Sequence, residues 1–168
     1  FREYLAAYDV VHKCKFDPKC VWDRAVCQWY EKEWIQVALF ALNILNDKAD
    51  ISGPIDHICL SNDARWPLVA GWVLFDSTEV KIETSNRVIR GLIALTRSDL
   101  DEWQSAAISA LIVLHERPCA MKGLLALARD VSVSPWWRIR VAEWLGELPG
   151  LANQVTPILL ALARGHSL

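Results

Sequence analysis

The chain has 168 residues, of which 53% are apolar and 23% charged, and its 18 Lys and Arg nearly balance its 20 Asp and Glu. This length is typical of one domain, the apolar fraction excludes a disordered chain, and the net charge of −2 argues against a dedicated nucleic-acid binder. No apolar stretch approaches the roughly 20 residues that cross a bilayer, and no basic-then-apolar leader opens the chain. We therefore expect neither membrane spanning nor secretion. The first residue, Phe1, is not Met, which indicates a piece of a longer protein.

Apolar residues recur at helical spacing through nearly the whole chain, and the alternation typical of strands is hard to find. The first two apolar stripes are Phe1, Tyr4, Leu5, Tyr8 and Val11, and then Trp34, Val37, Ala38, Ala41, Leu42 and Leu45. Helix starts are predicted at Asp17-Pro18, Ser98-Asp99 and Ser134-Pro135, where a capping side chain begins the segment. The middle of the chain is interrupted at Ser52-Gly53-Pro54 and Arg65-Trp66-Pro67. We predict about ten helices of roughly 10 to 16 residues, joined by short turns.

Internal repetition decides the predicted architecture. The string Leu-Leu-Ala-Leu-Ala-Arg occurs at Leu124–Arg129 and again at Leu159–Arg164, and Arg90–Arg97 resembles Lys122–Arg129. The helices that precede the first two strings also match, because four apolar residues recur 34 positions later: Trp103, Ala107, Leu111 and Leu114 align with Trp137, Val141, Leu145 and Leu148. One helical hairpin cannot bury its own apolar face, whereas stacked hairpins bury a continuous core.

We therefore predict an all-α fold, a right-handed α-solenoid of stacked, HEAT-like helical hairpins. Residues 1–65 form N-terminal helical pairs in this prediction. Residues 66–168 form three repeats of about 31 to 35 residues each.

The chain has five Cys, an odd number, and a core large enough to need no disulfides, so we expect the reducing cytosol. His12, Cys14, Cys20 and Cys27 place four soft ligands within a short stretch, but the tight Cys-x2-4-Cys knuckle of a zinc site is absent. We interpret the cysteines as small buried thiols. A metal cluster and a single exposed redox Cys are the alternatives.

Tryptophan is unusually frequent, at nine residues. Helical spacing predicts that seven of them point into the core as wedges between helices: Trp22, Trp29, Trp34, Trp66, Trp72, Trp103 and Trp144. Trp136 and Trp137 are neighbours and cannot both face one core. Since Trp137 matches Trp103, we expect Trp136 to point outward, and we predict a partner surface at Trp136, Arg138 and Arg140, because Trp and Arg dominate binding hot spots. The alternative is an Arg stacked on a half-buried Trp that closes the repeat.

The first seven residues, Phe1-Arg2-Glu3-Tyr4-Leu5-Ala6-Ala7, resemble the Phe-Gln-Glu-Tyr-Leu-Ala-Ala segment that follows the winged-helix module of NACHT-type STAND NTPases, with Arg2 in place of the usual Gln. Glu33-Trp34-Ile35-Gln36-Val37 is similar to the W-x-x-V helix that often comes next in those proteins. The remainder resembles their HEAT-like C-terminal repeats. The resemblance implies the C-terminal helical part of a signalling NTPase whose motor lies upstream. Phe1, Tyr4 and Leu5 would pack the first helix under the repeats.

The chain has no glycine-rich phosphate loop, Gly-x-Gly-x-x-Gly turn, Gly-x-Ser-x-Gly elbow or His-Glu-x-x-His motif. We therefore assign no catalytic residue, cofactor or metal, and predict a non-enzymatic, cytoplasmic sensor or interaction module. Its predicted partners are a protein or trigger molecule and the upstream NTPase domain. The alternatives are a free-standing HEAT-like scaffold and a HEAT-like DNA glycosylase. The glycosylase would need a basic face made by Arg87, Arg90, Arg129, Arg138 and Arg140.

Overall fold

The computed structural model describes residues 2–28, 34–61, 63–75 and 80–164. These residues form ten α-helices and a short 3-10 turn at Val26–Gln28, and they contain no strand. The helices are α1 Arg2–Lys13, α2 Pro18–Arg24, α3 Ile35–Asn46, α4 Ser52–Cys59, α5 Trp66–Phe75, α6 Ile82–Leu95, α7 Asp101–Val113, α8 Pro118–Arg129, α9 Pro135–Glu147 and α10 Ala152–Ala163. The all-α prediction is confirmed. In the described residues, no helix has the length and apolar character to cross a bilayer.

The chain divides into two compact units, Phe1–Val88 and Ile89–Leu168, and the division falls inside α6. The predicted boundary after residue 65 separates N-terminal helical pairs from HEAT-like repeats. Because it does not concern compact units, it stays a prediction. The same is true of the three predicted repeats.

In the first unit, α1 packs against α3 and buries Ala7 and Val11 completely. Other residues of the predicted α1 stripe are not buried, because Tyr4, Leu5 and Tyr8 are each about half exposed. The rings of Tyr4 and Tyr8 contact each other along the helix surface instead, and the Tyr4 ring also meets that of Phe40 in α3 edge to face, with centroids 5.7 Å apart. Phe1 lies outside the described residues.

The start of α2 is confirmed at Asp17-Pro18. The Asp17 carboxylate accepts a hydrogen bond of 3.0 Å from the backbone N–H of Cys20, and Pro18 occupies the first helical turn. Ser134 caps α9 in the same way, accepting from the N–H of Trp137 at 3.5 Å. The start predicted at Ser98-Asp99 lies two residues early, since the N-cap of α7 is Leu100 and the helix begins at Asp101.

The second unit contains two consecutive hairpins, α7–α8 and α9–α10, and α8 packs against both helices of the following hairpin. Its fully buried side chains include Leu92, Ala107, Leu111, Leu124, Ala128, Val141, Ala142 and Leu145. Gly123 lets α8 approach α6 closely, because a Cβ at this position would lie 2.9 Å from Cγ1 of Ile93.

A buried hydrogen bond recurs at the same place in the two hairpins. Nε2 of Gln104, in α7, donates to the carbonyl oxygen of Thr96 at 2.6 Å. Nε of Arg138, in α9, donates to the carbonyl oxygen of Ala128 at 3.4 Å. Gln104 and Arg138 are 34 positions apart and both are the fourth residue of their helix. Each side chain therefore satisfies a carbonyl at the end of the helix that precedes its hairpin.

The predicted inward position of the tryptophans holds only in part. Trp22, Trp34, Trp66, Trp103 and Trp144 are all partly buried. Trp72 is 64% exposed, which corrects its predicted core position. Every residue of α5 except Gly71 is apolar, so its sequence has no polar face to show which side meets the solvent. Trp29 lies outside the described residues.

Candidate interaction surface

The outer face of α9 carries the predicted partner surface. Trp136 is 59% exposed and Arg140, four residues later, is also exposed, so both lie on one side of the helix. The opposite side is buried and holds Val141, Ala142 and Leu145. Trp136 and Arg140 are therefore presented by a helix that the core holds in place.

Trp136 is supported by its neighbour. The rings of Trp136 and Trp137 meet edge to face, with centroids 4.4 Å apart and planes at 82°. Trp137 is half-buried, so it anchors the pair while Trp136 remains accessible. This geometry is a favourable one for two aromatic rings, and it leaves one face of the Trp136 indole free to contact a partner.

Arg140 forms only a weak internal contact. Its Nη1 lies 3.4 Å from Oε2 of Glu143, and both side chains are more than half exposed. An exposed pair at this spacing contributes little to stability. Arg140 can exchange this contact for a partner's carboxylate without loss to the fold.

Arg138 does not belong to the surface, which corrects the predicted three-residue set. It is only 5% exposed, and its guanidinium lies at the C-terminal end of α8, where a positive charge meets the negative end of the helix dipole. Its Nη2 is buried and has no hydrogen-bond partner among the described residues. Positions 136 and 138 differ by about 200° around a helix, so the spacing already indicated opposite faces.

A groove between α9 and α10, with a volume of about 470 Å³, continues this outer face. Glu143, Gly146 and Glu147 line it from α9, and Val155, Thr156 and Leu159 line it from α10. Carboxylates thus border an apolar floor. Sequence reasoning did not find this site, because it depends on how α10 packs against α9.

The cysteine-rich segment holds a disulfide between Cys14 and Cys20, whose Cα atoms are 5.5 Å apart. This corrects the interpretation of those two residues as thiols. The chain between them turns through Lys15 and Phe16, which both have positive φ, 52° and 60°. Such angles are uncommon in residues other than Gly, and nothing in the sequence indicates them.

The remaining cysteines are free. Cys27 Sγ donates to the carbonyl oxygen of Asp23 at 3.4 Å, and burial raises the pKa of the Cys59 thiol to about 12, so Cys59 stays protonated. In the described part of the chain, no three His, Cys, Asp or Glu residues come together in a way that could hold a metal ion. The His12 ring contacts two aromatic rings, that of Tyr8 at a tilt and that of Phe16 edge to face.

The five arginines named for a nucleic-acid face do not act as a set. Arg138 is buried, as described above, and Nη1 of Arg87 donates to Oδ1 of Asp56 at 2.7 Å. The basic face that a DNA glycosylase needs therefore has at least one member missing.

Comparison with family models, with curated proteins and with solved structures gives no match for this chain.

Proposed function

We propose that this chain is a non-enzymatic protein-interaction module, the C-terminal helical part of a STAND-type signalling NTPase, and that it recognises a trigger or holds the NTPase inactive. The observation that carries the proposal is the exposed indole of Trp136, held by Trp137 and placed beside Arg140 on the outer face of α9. Trp and Arg are the residues that contribute most binding energy in protein interfaces.

A HEAT-like, right-handed solenoid is the architecture we propose for this module. Ion pairs join residues about one repeat length apart within each unit: Arg87 with Asp56, 31 positions away, and Arg97 with Asp130, 33 positions away. The recurrence of the Gln104 hydrogen bond at Arg138 supports the same periodicity. Contacts between residues roughly one repeat length apart are what stacked hairpins produce.

The NTPase is proposed from the resemblance of the opening segment, and the cytoplasmic location from the odd number of cysteines. The Cys14–Cys20 disulfide counts against a reducing compartment, since disulfides persist mainly in oxidising ones. The reading frame upstream of Phe1 separates this proposal from a free-standing scaffold. A Gly-x4-Gly-Lys-Ser/Thr loop encoded there supports the NTPase, and its absence contradicts it.

Recognition through α9 is tested by affinity capture from the source cells with quantitative mass spectrometry. Wild-type chain is compared with Trp136→Ala/Arg140→Ala and with Trp72→Ala, which removes an equally exposed Trp from the other unit. We expect at least one captured protein to fall about tenfold for the double variant and to be unchanged for Trp72→Ala. Equal capture by all three proteins would rule out the α9 surface.

A further inference from the structure

The identical strings at the ends of α8 and α10 differ in how deeply they are buried. In α8, Leu124, Leu127 and Ala128 are at most 3% exposed, because α9 and α10 both pack against that helix. The equivalent residues of α10, Leu159 and Leu162, are only half-buried, and Ala163 is exposed. The same amino-acid sequence therefore forms a covered helix-packing face in one hairpin and an uncovered one in the next.

The buried copy of the string in α8 indicates what kind of structure fits the less buried copy in α10. The string in α8 lies in a helix against which other helices pack, namely α7, α9 and α10. Leu159 of α10 also lines the groove, opposite Gly146 of α9. A Cβ at Gly146 would meet only Cγ1 of Val155, at 3.8 Å, so α9 leaves open space where an incoming side chain can enter.

The charge of the groove identifies the chemistry of the occupant. Glu143 and Glu147 are one turn apart on α9 and both border the groove. Glu147 makes no ion pair with any described residue, and Glu143 has only the 3.4 Å contact to Arg140. An apolar floor with two carboxylates at its edge is complementary to a helix that carries Lys or Arg beside a stripe of Leu.

We propose that the α9–α10 groove binds a basic amphipathic helix of a partner protein, with aliphatic side chains on Ala152 and Leu159 and cationic side chains paired with Glu143 and Glu147. The inference rests on the proposed function, and it names a class of partner for the outer face of α9. It is a helix-in-groove contact, in which the apolar stripe supplies affinity and the charges supply orientation.

The test measures fluorescence anisotropy of a labelled peptide of about 18 residues, long enough to form a helix on binding, with a Leu stripe flanked by Lys. A matched peptide has Glu in place of every Lys. We expect wild-type protein to bind the Lys peptide, with affinity falling as salt rises, and not the Glu peptide. Glu143→Gln/Glu147→Gln should weaken binding by about tenfold. Gly146→Leu should weaken it similarly by filling the groove, while also raising helix propensity.

Glu102→Gln/Glu116→Gln is the charge-matched control, because both residues are exposed in the same unit and neither lines the groove. Equal affinity of the groove and control variants, or equal binding of the two peptides, would overturn the proposal. A dimer seen by light scattering and lost in Gly146→Leu would also overturn it, by showing that a second copy fills the groove. Trp136→Ala separates this proposal from the proposed function. If the Lys peptide still binds this variant, the groove proposal stands. If capture from cells does not depend on Trp136, the Trp136 surface is ruled out.

Discussion

Gln104 donates a buried hydrogen bond of 2.6 Å from Nε2 to the carbonyl oxygen of Thr96, the residue that follows α6. Both groups are removed from water, since Gln104 is 7% and Thr96 0% exposed. A buried carbonyl that loses its donor keeps the full cost of its desolvation. The contact therefore connects the end of one helix with the start of the next hairpin.

Gln104→Ala should lower the free energy of unfolding by about 1–3 kcal/mol, because it leaves the Thr96 carbonyl without its side-chain donor and opens a small cavity. Urea denaturation followed by circular dichroism measures the effect. Ser109→Ala, at an exposed position of the same helix, is the control and should change stability little. Equal stability of the two variants would contradict the role given to Gln104.

Arg138→Gln should be at least as stable as wild type, because Gln keeps a donor for the Ala128 carbonyl and removes the buried, unpartnered Nη2. Arg138→Ala should be less stable by about 2 kcal/mol, since it removes the donor altogether. Differential scanning calorimetry of both variants checks the order. A Gln variant no more stable than the Ala variant would show that the positive charge, rather than the hydrogen bond, is what position 138 requires.

Asp130 should make the stability of the second unit depend on acid pH. Hydrogen bonds from Ser132 and from Arg97 lower the pKa of Asp130 from its ordinary value of 3.8 to about 2. A carboxyl whose pKa is lower in the folded state than in the unfolded state stabilises the fold. The full stabilisation is present above the pKa of the unfolded state and is lost as the pH falls through the pKa of the folded state.

The difference in urea midpoint between wild type and Asp130→Asn should therefore be greatest above about pH 4 and shrink towards pH 2. Asp101→Asn, a change at an exposed carboxylate of α7, is the control. If the urea midpoint of wild type exceeds that of Asp130→Asn by the same amount from pH 6 to pH 2, titration of Asp130 does not account for the difference.

The Cys14–Cys20 disulfide predicts a definite number of thiols. Of the five cysteines, Cys27, Cys59 and Cys119 are free, so thiol titration in denaturant should give three groups before reduction and five after it. Reduction should also lower stability by about 2 kcal/mol, given the short loop that the bond closes. Cys27→Ser, which leaves the disulfide intact, should not have this effect. Five thiols in unreduced protein would contradict the disulfide.

Of the three helix starts predicted from local signals, two were correct. The starts of α2 and α9 follow from Asp17-Pro18 and Ser134-Pro135, because capping and a Pro in the first turn act within a few residues. The exposed position of Trp136 likewise follows from its place beside Trp137 on one helix.

Features that depend on packing between helices were missed. Burial of Arg138 requires the carbonyl of Ala128 to lie next to it, and the exposure of Trp72 depends on which side of an apolar helix the neighbours cover. The groove beside Glu147 exists only after α10 packs on α9. Two hints to Arg138 were available: its angular distance from Trp136 around the helix, and its alignment with Gln104, since two long polar side chains share a position between apolar ones.

Photo-crosslinking in cells tests recognition through α9 most directly. A benzophenone amino acid replaces Trp136, and in a parallel experiment it replaces Trp72, which is as exposed but lies in the other unit. We predict a discrete crosslink to another polypeptide, or to the NTPase domain that we propose, from position 136 and none from position 72. Equal crosslinking from both positions, or none from position 136, would contradict an interaction surface on α9.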